Sequence, residues 1–158
     1  MIFATVGTQA PFDRFVKIVD DIASEISEEI VVQAFHDQYT PKNVRQVDFL
    51  PPDEFNELFS KARMIVAHAG MGTIISAMKQ EKPIIVFPRI ASLGEHRNEH
   101  QMATARQMER MNYVYVAYDE QQLRQLMLSA DLKSLHSLGE FASESLIDDI
   151  KKFIENNN

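Results

Sequence analysis

Apolar positions along the chain alternate between two rhythms. Residues 2–6 form a short unbroken apolar run closed by Gly7, the pattern of a strand buried on both faces. The period then changes. Phe12, Phe15, Val16, Val19, Ile22, Ala23 and Ile26 recur at three- and four-residue spacing, which predicts an amphipathic helix. Residues 30–35 predict a second strand and residues 44–50 a third, stopped by Pro51 and Pro52. Pro52 suits the first turn of a helix over 53–61, with Phe55, Leu58 and Phe59 inward. Residues 64–68 predict the fourth strand and 72–80 its helix. The fifth strand is 84–87, entered through Pro83 and left through Pro88. Residues 98–111 read as helix and 113–116 as a sixth strand, and Asp119 is placed to cap a helix over 120–128.

Strands that alternate with helices predict an α/β fold, a Rossmann-like parallel sheet of about six strands with helices on both faces. In that order the first and fourth strands are neighbours at the switch point, and ligands bind off their C-terminal ends. The loops there are Gly7-Thr8-Gln9-Ala10-Pro11 and residues 68–73, so both glycine turns converge on one crevice. No repeat or linker divides residues 1–158, which read as one domain. Leu138, Phe141, Leu146, Ile147, Ile150, Phe153 and Ile154 predict a C-terminal helix over 138–156. It either packs on its own sheet or docks on a partner.

The stretch His68-Ala69-Gly70-Met71-Gly72-Thr73 carries the most chemistry. A strand that ends in a glycine turn and opens a helix presents unpaired N–H groups and the positive end of the helix dipole. Gly70 and Gly72 lack a Cβ, so a diphosphate is expected to approach the backbone there, although such glycines also occur for steric reasons alone. His68, as a cation or a neutral donor, is expected near a leaving diphosphate. Thr8 and Thr73 either add hydroxyls to the same anion or cap their helices. A second constellation, residues 88–101, follows the fifth strand and is dense in donors and acceptors. Arg89, Glu95, His100 and Gln101 are expected to contact ligand, whereas Arg97 and Glu99 read as solvated side chains.

Composition narrows the classes. The net charge of −7 disfavours nucleic acid as a partner, although Lys79, Lys82, Arg89, Arg97, Arg106 and Arg110 cluster in the second half. No cysteine is present, which excludes disulfides and thiolate metal sites and fits a cytoplasmic setting. No apolar run approaches the ~20 residues of a membrane span, and no basic region precedes the first strand as in a signal peptide. His96 and His100 are four apart, but there is no His-Glu-x-x-His, no Asp-x-Asp and no P-loop, so no metal is expected. Position 75 is Ile rather than the third glycine of a dinucleotide fingerprint, which weakens the case for a dehydrogenase.

Taken together, Val6-Gly7-Thr8-Gln9, Pro11-Phe12-Asp13-Arg14, residues 68–74, Lys82-Pro83-Ile84-Ile85-Val86 and residues 94–101 resemble the C-terminal domain of glycosyltransferase family 28. The resemblance is strongest to stand-alone donor-binding subunits of two-part glycosyltransferases. These include bacterial exopolysaccharide and capsule types and the cytosolic subunit of the UDP-N-acetylglucosamine transferase for lipid-linked oligosaccharides. It implies one half of a GT-B fold, and the chain length accords with half of a two-domain enzyme. It also implies a UDP-sugar donor substrate without cofactor, and a membrane-anchored partner subunit that binds the acceptor. The chain would then be cytoplasmic, held at the inner membrane face through that partner. In the family the glycine turn, here Gly70, Met71, Gly72 and Thr73, lies by the diphosphate, and the pair matching His100 and Gln101 lies by the sugar. No convincing general base is present, so catalysis would draw its base from the partner and leave His68 as a leaving-group stabiliser. One departure stands out. Many members carry a ribose-binding glutamate where this chain has Ser76, with Ala77 beside it. That keeps two other readings open, a non-catalytic helper of a partner transferase and a free-standing nucleotide-binding regulatory domain.

Overall fold

The computed structural model describes residues 1–8, 10–35, 39–129, 131–135, 148 and 152. Among them the elements alternate as expected: β1 (Ile2–Thr5), α1 (Asp13–Ala23), β2 (Ile30–Gln33), β3 (Arg45–Val47), α2 (Pro52–Lys61), β4 (Met64–Ala67), α3 (Met71–Lys79), β5 (Ile84–Val86), α4 (His100–Arg110), β6 (Tyr115–Val116) and α5 (Glu120–Leu128). A 3₁₀ turn, Ala91–Leu93, interrupts the segment between β5 and α4. The strands pair in parallel in the order β3-β2-β1-β4-β5-β6. This is the Rossmann order, and it puts β1 beside β4.

Every residue of β1, β2, β4 and β5 is buried, because helices cover both faces. Successive side chains point to opposite faces, so each strand feeds two cores. Ile2, Ala4, Ile30, Val32, Met64 and Val66 pack with Phe15, Val19 and Ile22 of α1 and Leu123 of α5. Phe3, Val31, Ile65, Ala67 and Val86 pack on the other side with Phe59 of α2, Ile74 and Met78 of α3, and Met108 of α4. Each of the larger side chains, the alanines apart, contributes about 1.5–3 kcal/mol by leaving water. One buried carboxylate, Asp20 of α1, accepts the backbone N–H groups of Lys42 and Asn43 and so ties the β2–β3 connection to the helix.

Pro52 opens α2 and the Asp119 side chain caps α5 by accepting the Gln122 N–H at 2.8 Å, both as the sequence predicts. Several expected boundaries shift, among them the end of β2, at Gln33 rather than 35, and the start of β6, at Tyr115 rather than 113. β3 stops at Val47, so Phe49 and Leu50 lie beyond the sheet rather than within a strand. α4 starts at His100 after Glu99 at its N-cap, and Asn98 lies outside it, its Oδ1 accepting the His100 N–H at 3.0 Å. α1 ends at Ala23, before Ile26. The C-terminal helix expected over 138–156 falls almost entirely outside the described residues.

Candidate functional site

β1 and β4 end in register, Thr5 opposite Ala67, so the turns that follow them start side by side. Beyond these ends opens a crevice of about 990 Å³. It is lined by all the residues expected at a ligand site: Gly7, Thr8, His68, Gly70, Met71, Gly72, Thr73, Arg89, Glu95, His100 and Gln101. Within that common lining the side chains play unlike parts.

The N-terminus of α3 is open. Gly70 is its N-cap and no side chain caps it, so Thr73 does not do so. The first residue to bond back is Ile74, whose N–H reaches the Gly70 carbonyl at 3.1 Å. The N–H groups of Met71, Gly72 and Thr73 therefore have no intrahelical acceptor, and the dipole concentrates positive potential at them. A Cβ at Gly72 would meet nothing within 4 Å, so this position faces free space. Thr8 is exposed, and it caps nothing, since α1 begins after Phe12 with no side-chain cap.

Gly70 serves a different purpose from the expected one. A Cβ there would stand 2.4 Å from His68 Cε1, and one at Gly7 would stand 2.6 Å from His68 Nε2. The imidazole thus fills the notch between the two turns, where the sequence suggests room for a diphosphate over Gly70. Gly7 also takes φ 80°, a conformation that favours glycine. Burial pushes the His68 pKa down to about 3, helped by the charges of Arg89 and His96, so the ring is neutral at ordinary pH. Of the two forms entertained from the sequence, this environment favours the neutral one.

The opposite rim is closed by its own hydrogen bonds. Arg89 is 3% exposed and donates through Nη1 to the carbonyls of Pro11 at 2.7 Å and Glu95 at 3.3 Å. Its Nη2 donates to Val6 and Ala10, both at 2.8 Å, and the guanidinium lies 4.7 Å over the Phe12 ring. Four backbone carbonyls occupy the fork, so Arg89 shapes the Gly7 turn instead of reaching out to ligand. Glu95 accepts Arg14 Nε at 2.7 Å, Arg14 Nη2 at 2.9 Å and the Ile90 N–H at 2.9 Å. Its carboxylate braces the loop against α1. Gln101 is buried, its Oε1 accepting the N–H groups of Ala69 at 3.2 Å and Arg89 at 3.0 Å, with Nε2 2.9 Å from His68 Nδ1. Glu99 accepts the Ala91 N–H at 3.0 Å. For Arg89, Glu95 and Gln101 the expectation of direct ligand contact gives way to a scaffolding part; His100 remains half-buried at the crevice wall.

Sequence reading missed several lining residues. Phe49 is 62% exposed and stands with Leu50 over the crevice. The signal was an apolar pair directly before Pro51, too late in the run to keep ladder partners. Gln33 lines the crevice, accepts the Thr5 hydroxyl at 2.7 Å through Oε1, and leaves Nε2 buried without a partner. Arg97, expected as a solvated side chain, is exposed and also lines the crevice. Among the described residues no cluster of His, Asp or Glu is placed to hold a metal ion.

A six-stranded parallel sheet with a crevice at its switch point, rimmed by an uncapped helix start, defines a doubly wound α/β domain. The chain belongs to a family within that class, the glycosyltransferase family 28 C-terminal domain, which it matches over residues 1–156. It is similar to the solution structure of ALG13, with a TM-score of 0.61 at 17% identity over 92% of this chain and 94% of that one. MurG from Acinetobacter baumannii superposes with a TM-score of 0.60 at 15% identity, over 95% of this chain and 49% of that one. The spinosyn rhamnosyltransferase SpnG, solved with thymidine diphosphate, gives 0.58 at 16% identity, over 96% of this chain and 41% of that one. At these identities the likeness is one of fold: the sheet is that of the C-terminal half of a GT-B glycosyltransferase. No curated protein matches the chain in sequence. Among the described residues no helix is long and apolar enough to cross a membrane.

Proposed function

We propose that this protein is the donor-binding subunit of a heteromeric inverting glycosyltransferase. It holds a UDP-hexose in the crevice and presents the anomeric carbon to a lipid-linked acceptor carried by a membrane-anchored partner subunit. Such a chain works at the cytoplasmic face of the membrane, in the synthesis of an exopolysaccharide, a capsule or a related polysaccharide. The reading is supported by family membership, by a fold shared with ALG13 at nearly equal length, and by the thymidine diphosphate in the SpnG structure. The single observation that carries it is the uncapped start of α3 with Gly72 open to the crevice.

The chemistry follows from that geometry. As the glycosidic bond to the departing UDP breaks, charge grows on the diphosphate. Free N–H groups at Met71, Gly72 and Thr73, with the hydroxyls of Thr73 and Thr8, are donors already aimed at that position, and they act without reorganisation. No metal is invoked. The base that takes the acceptor proton must lie within hydrogen-bond reach of the attacking hydroxyl, so it comes from the partner. Residues 138–156 are the docking element in this reading, and truncation before residue 138 should abolish capture of the partner.

Isothermal titration of the full chain with UDP, UDP-glucose and UDP-N-acetylglucosamine tests the central claim. Saturable heat that persists in a chelator is expected. A specific observation favours one second reading: Ser76, half-buried in the crevice, stands where many family members bind ribose with glutamate. Absence of heat and of competition among these ligands would replace the donor-binding reading with that of a non-catalytic helper which stabilises its partner.

A further inference from the structure

The contact between Gln101 and His68 fixes where a proton sits. Backbone N–H groups can only donate, so the Gln101 atom facing Ala69 N and Arg89 N, at 3.2 and 3.0 Å, must be the carbonyl Oε1. This turns the NH₂ end of the same amide towards His68 Nδ1, at 2.9 Å. An amide NH₂ carries no acceptor, so Nδ1 must be the bare nitrogen of the ring, and the ring proton resides on Nε2. Nε2 is the atom that meets the notch between Gly7 and Gly70, and among the described residues no protein acceptor faces it.

We propose that Gln101 is a positioning residue that holds His68 as the neutral Nε2–H tautomer, so that an uncharged ring donates a hydrogen bond to a diphosphate oxygen of the ligand. The diphosphate rests on the donor-binding reading above; the proton placement does not. A second proton on the ring would have to enter at Nδ1, where it would confront the amide hydrogens of Gln101. The charged and titratable groups around the ring are Arg89 and His96, and both oppose that second proton. The Glu95 carboxylate on this rim is turned to Arg14 and the Ile90 N–H. Anion binding in the crevice is therefore uncoupled from the pH range in which free histidines titrate. A UDP-sugar has no ionisation of its own near neutrality, so its affinity reports this directly.

The experiment is a pH series of long-range ¹H–¹⁵N spectra of the histidine rings in the ¹⁵N-labelled full chain, with and without UDP-glucose. In the unmodified protein His68 should show a protonated Nε2 and a bare Nδ1 and should not titrate between about pH 5 and 8. Its signals should move on adding UDP-glucose, whose affinity should stay within about twofold across that range. In Gln101→Glu a carboxylate oxygen faces Nδ1, so Nδ1 should become protonated and the pKa of His68 should rise by about two units or more. UDP-glucose affinity in that variant should then vary with pH. Titration of His68 near its ordinary value in the unmodified protein overturns the proposal, as does an unchanged tautomer in folded Gln101→Glu. If the variant does not fold, the tautomer in the unmodified protein decides alone. A bare Nδ1 with no response to UDP-glucose upholds the tautomer set by Gln101 but overturns the hydrogen bond to the diphosphate if calorimetry finds UDP-glucose bound; if calorimetry finds no binding either, it is the donor-binding reading that falls.

Discussion

The two rims of the crevice are built on opposite principles. On one side, the main polar side chains of residues 88–101 that are withdrawn from solvent are engaged within the protein: the Arg89 fork on four carbonyls, Glu95 on Arg14 and Ile90, Gln101 on two N–H groups and a ring nitrogen. On the other side, α3 starts with no cap at all. Among the described α-helices only α5 carries a side-chain cap, from the solvent-facing Asp119, and α3 differs from the other uncapped starts in opening onto the crevice with glycine at Gly70 and Gly72. Satisfied polar groups hold shape, and unsatisfied ones at an accessible helix start retain capacity for an anion. In the donor-binding reading proposed above, the first rim serves stability and the second ligand binding, and the contrast can be broken by substitutions that should separate the two properties.

The largest expected effect on stability is at the closed rim. Arg89→Met leaves the carbonyls of Val6, Ala10, Pro11 and Glu95 without their donor and loosens the Gly7 turn. A loss on the order of 3 kcal/mol or more is expected in urea unfolding. Arg89→Lys should rescue little, since a point ammonium cannot serve a fork of four acceptors. Acid should act next. The folded His68 stays neutral down to about pH 3, whereas its unfolded counterpart takes up a proton near 6.5. The unfolded state then binds more protons, so this contribution is complete above about pH 6.5 and is lost progressively towards pH 3. His68→Gln should remove that part of the slope in a pH series of urea midpoints. Gly70→Ala follows. Its Cβ would lie 2.4 Å from an imidazole held by Gln101 on one edge and Gly7 on another. A loss of about 1–2 kcal/mol is expected, with the His68 ring displaced from Gln101 in the spectra described above.

How much of this was legible follows from the range of the interactions. The strands, their order and the convergence of both glycine turns were readable, because a strand buried on both faces is a local apolar run and the switch point follows from connectivity rules. The helix start at Met71 was readable from the Gly70 and Gly72 spacing. The part played by Arg89 was not: its acceptors at Val6, Ala10 and Pro11 are 78 to 83 residues away, and no local pattern reports them. The packing of His68 against Gly70 was not readable for a different reason: the two are only two residues apart, but the direction of the imidazole is set by the distant Gln101. Whether a polar residue in such a loop faces a ligand or its own backbone depends on the tertiary fold. Phe49 was misplaced for a simpler reason, since an apolar run does not show where its last ladder partner lies.

Two helix starts complete the comparison and carry the smallest changes in stability. Asp119→Ala removes the one carboxylate that accepts the Gln122 N–H, and about 1 kcal/mol should be lost, with UDP-glucose affinity unchanged. Gly72→Asp should do the reverse. The new side chain enters open space, and a carboxylate in the first turn of a helix complements the dipole. The urea midpoint should therefore shift by no more than about 0.5 kcal/mol in either direction. The same carboxylate sits where the diphosphate is to lie, so it both fills the volume and repels the charge. UDP-glucose binding should fall by about a hundredfold or more by calorimetry. Retained affinity in a folded Gly72→Asp would place the anion elsewhere, and it would reduce the open start of α3 to an exposed helix end with no ligand to serve.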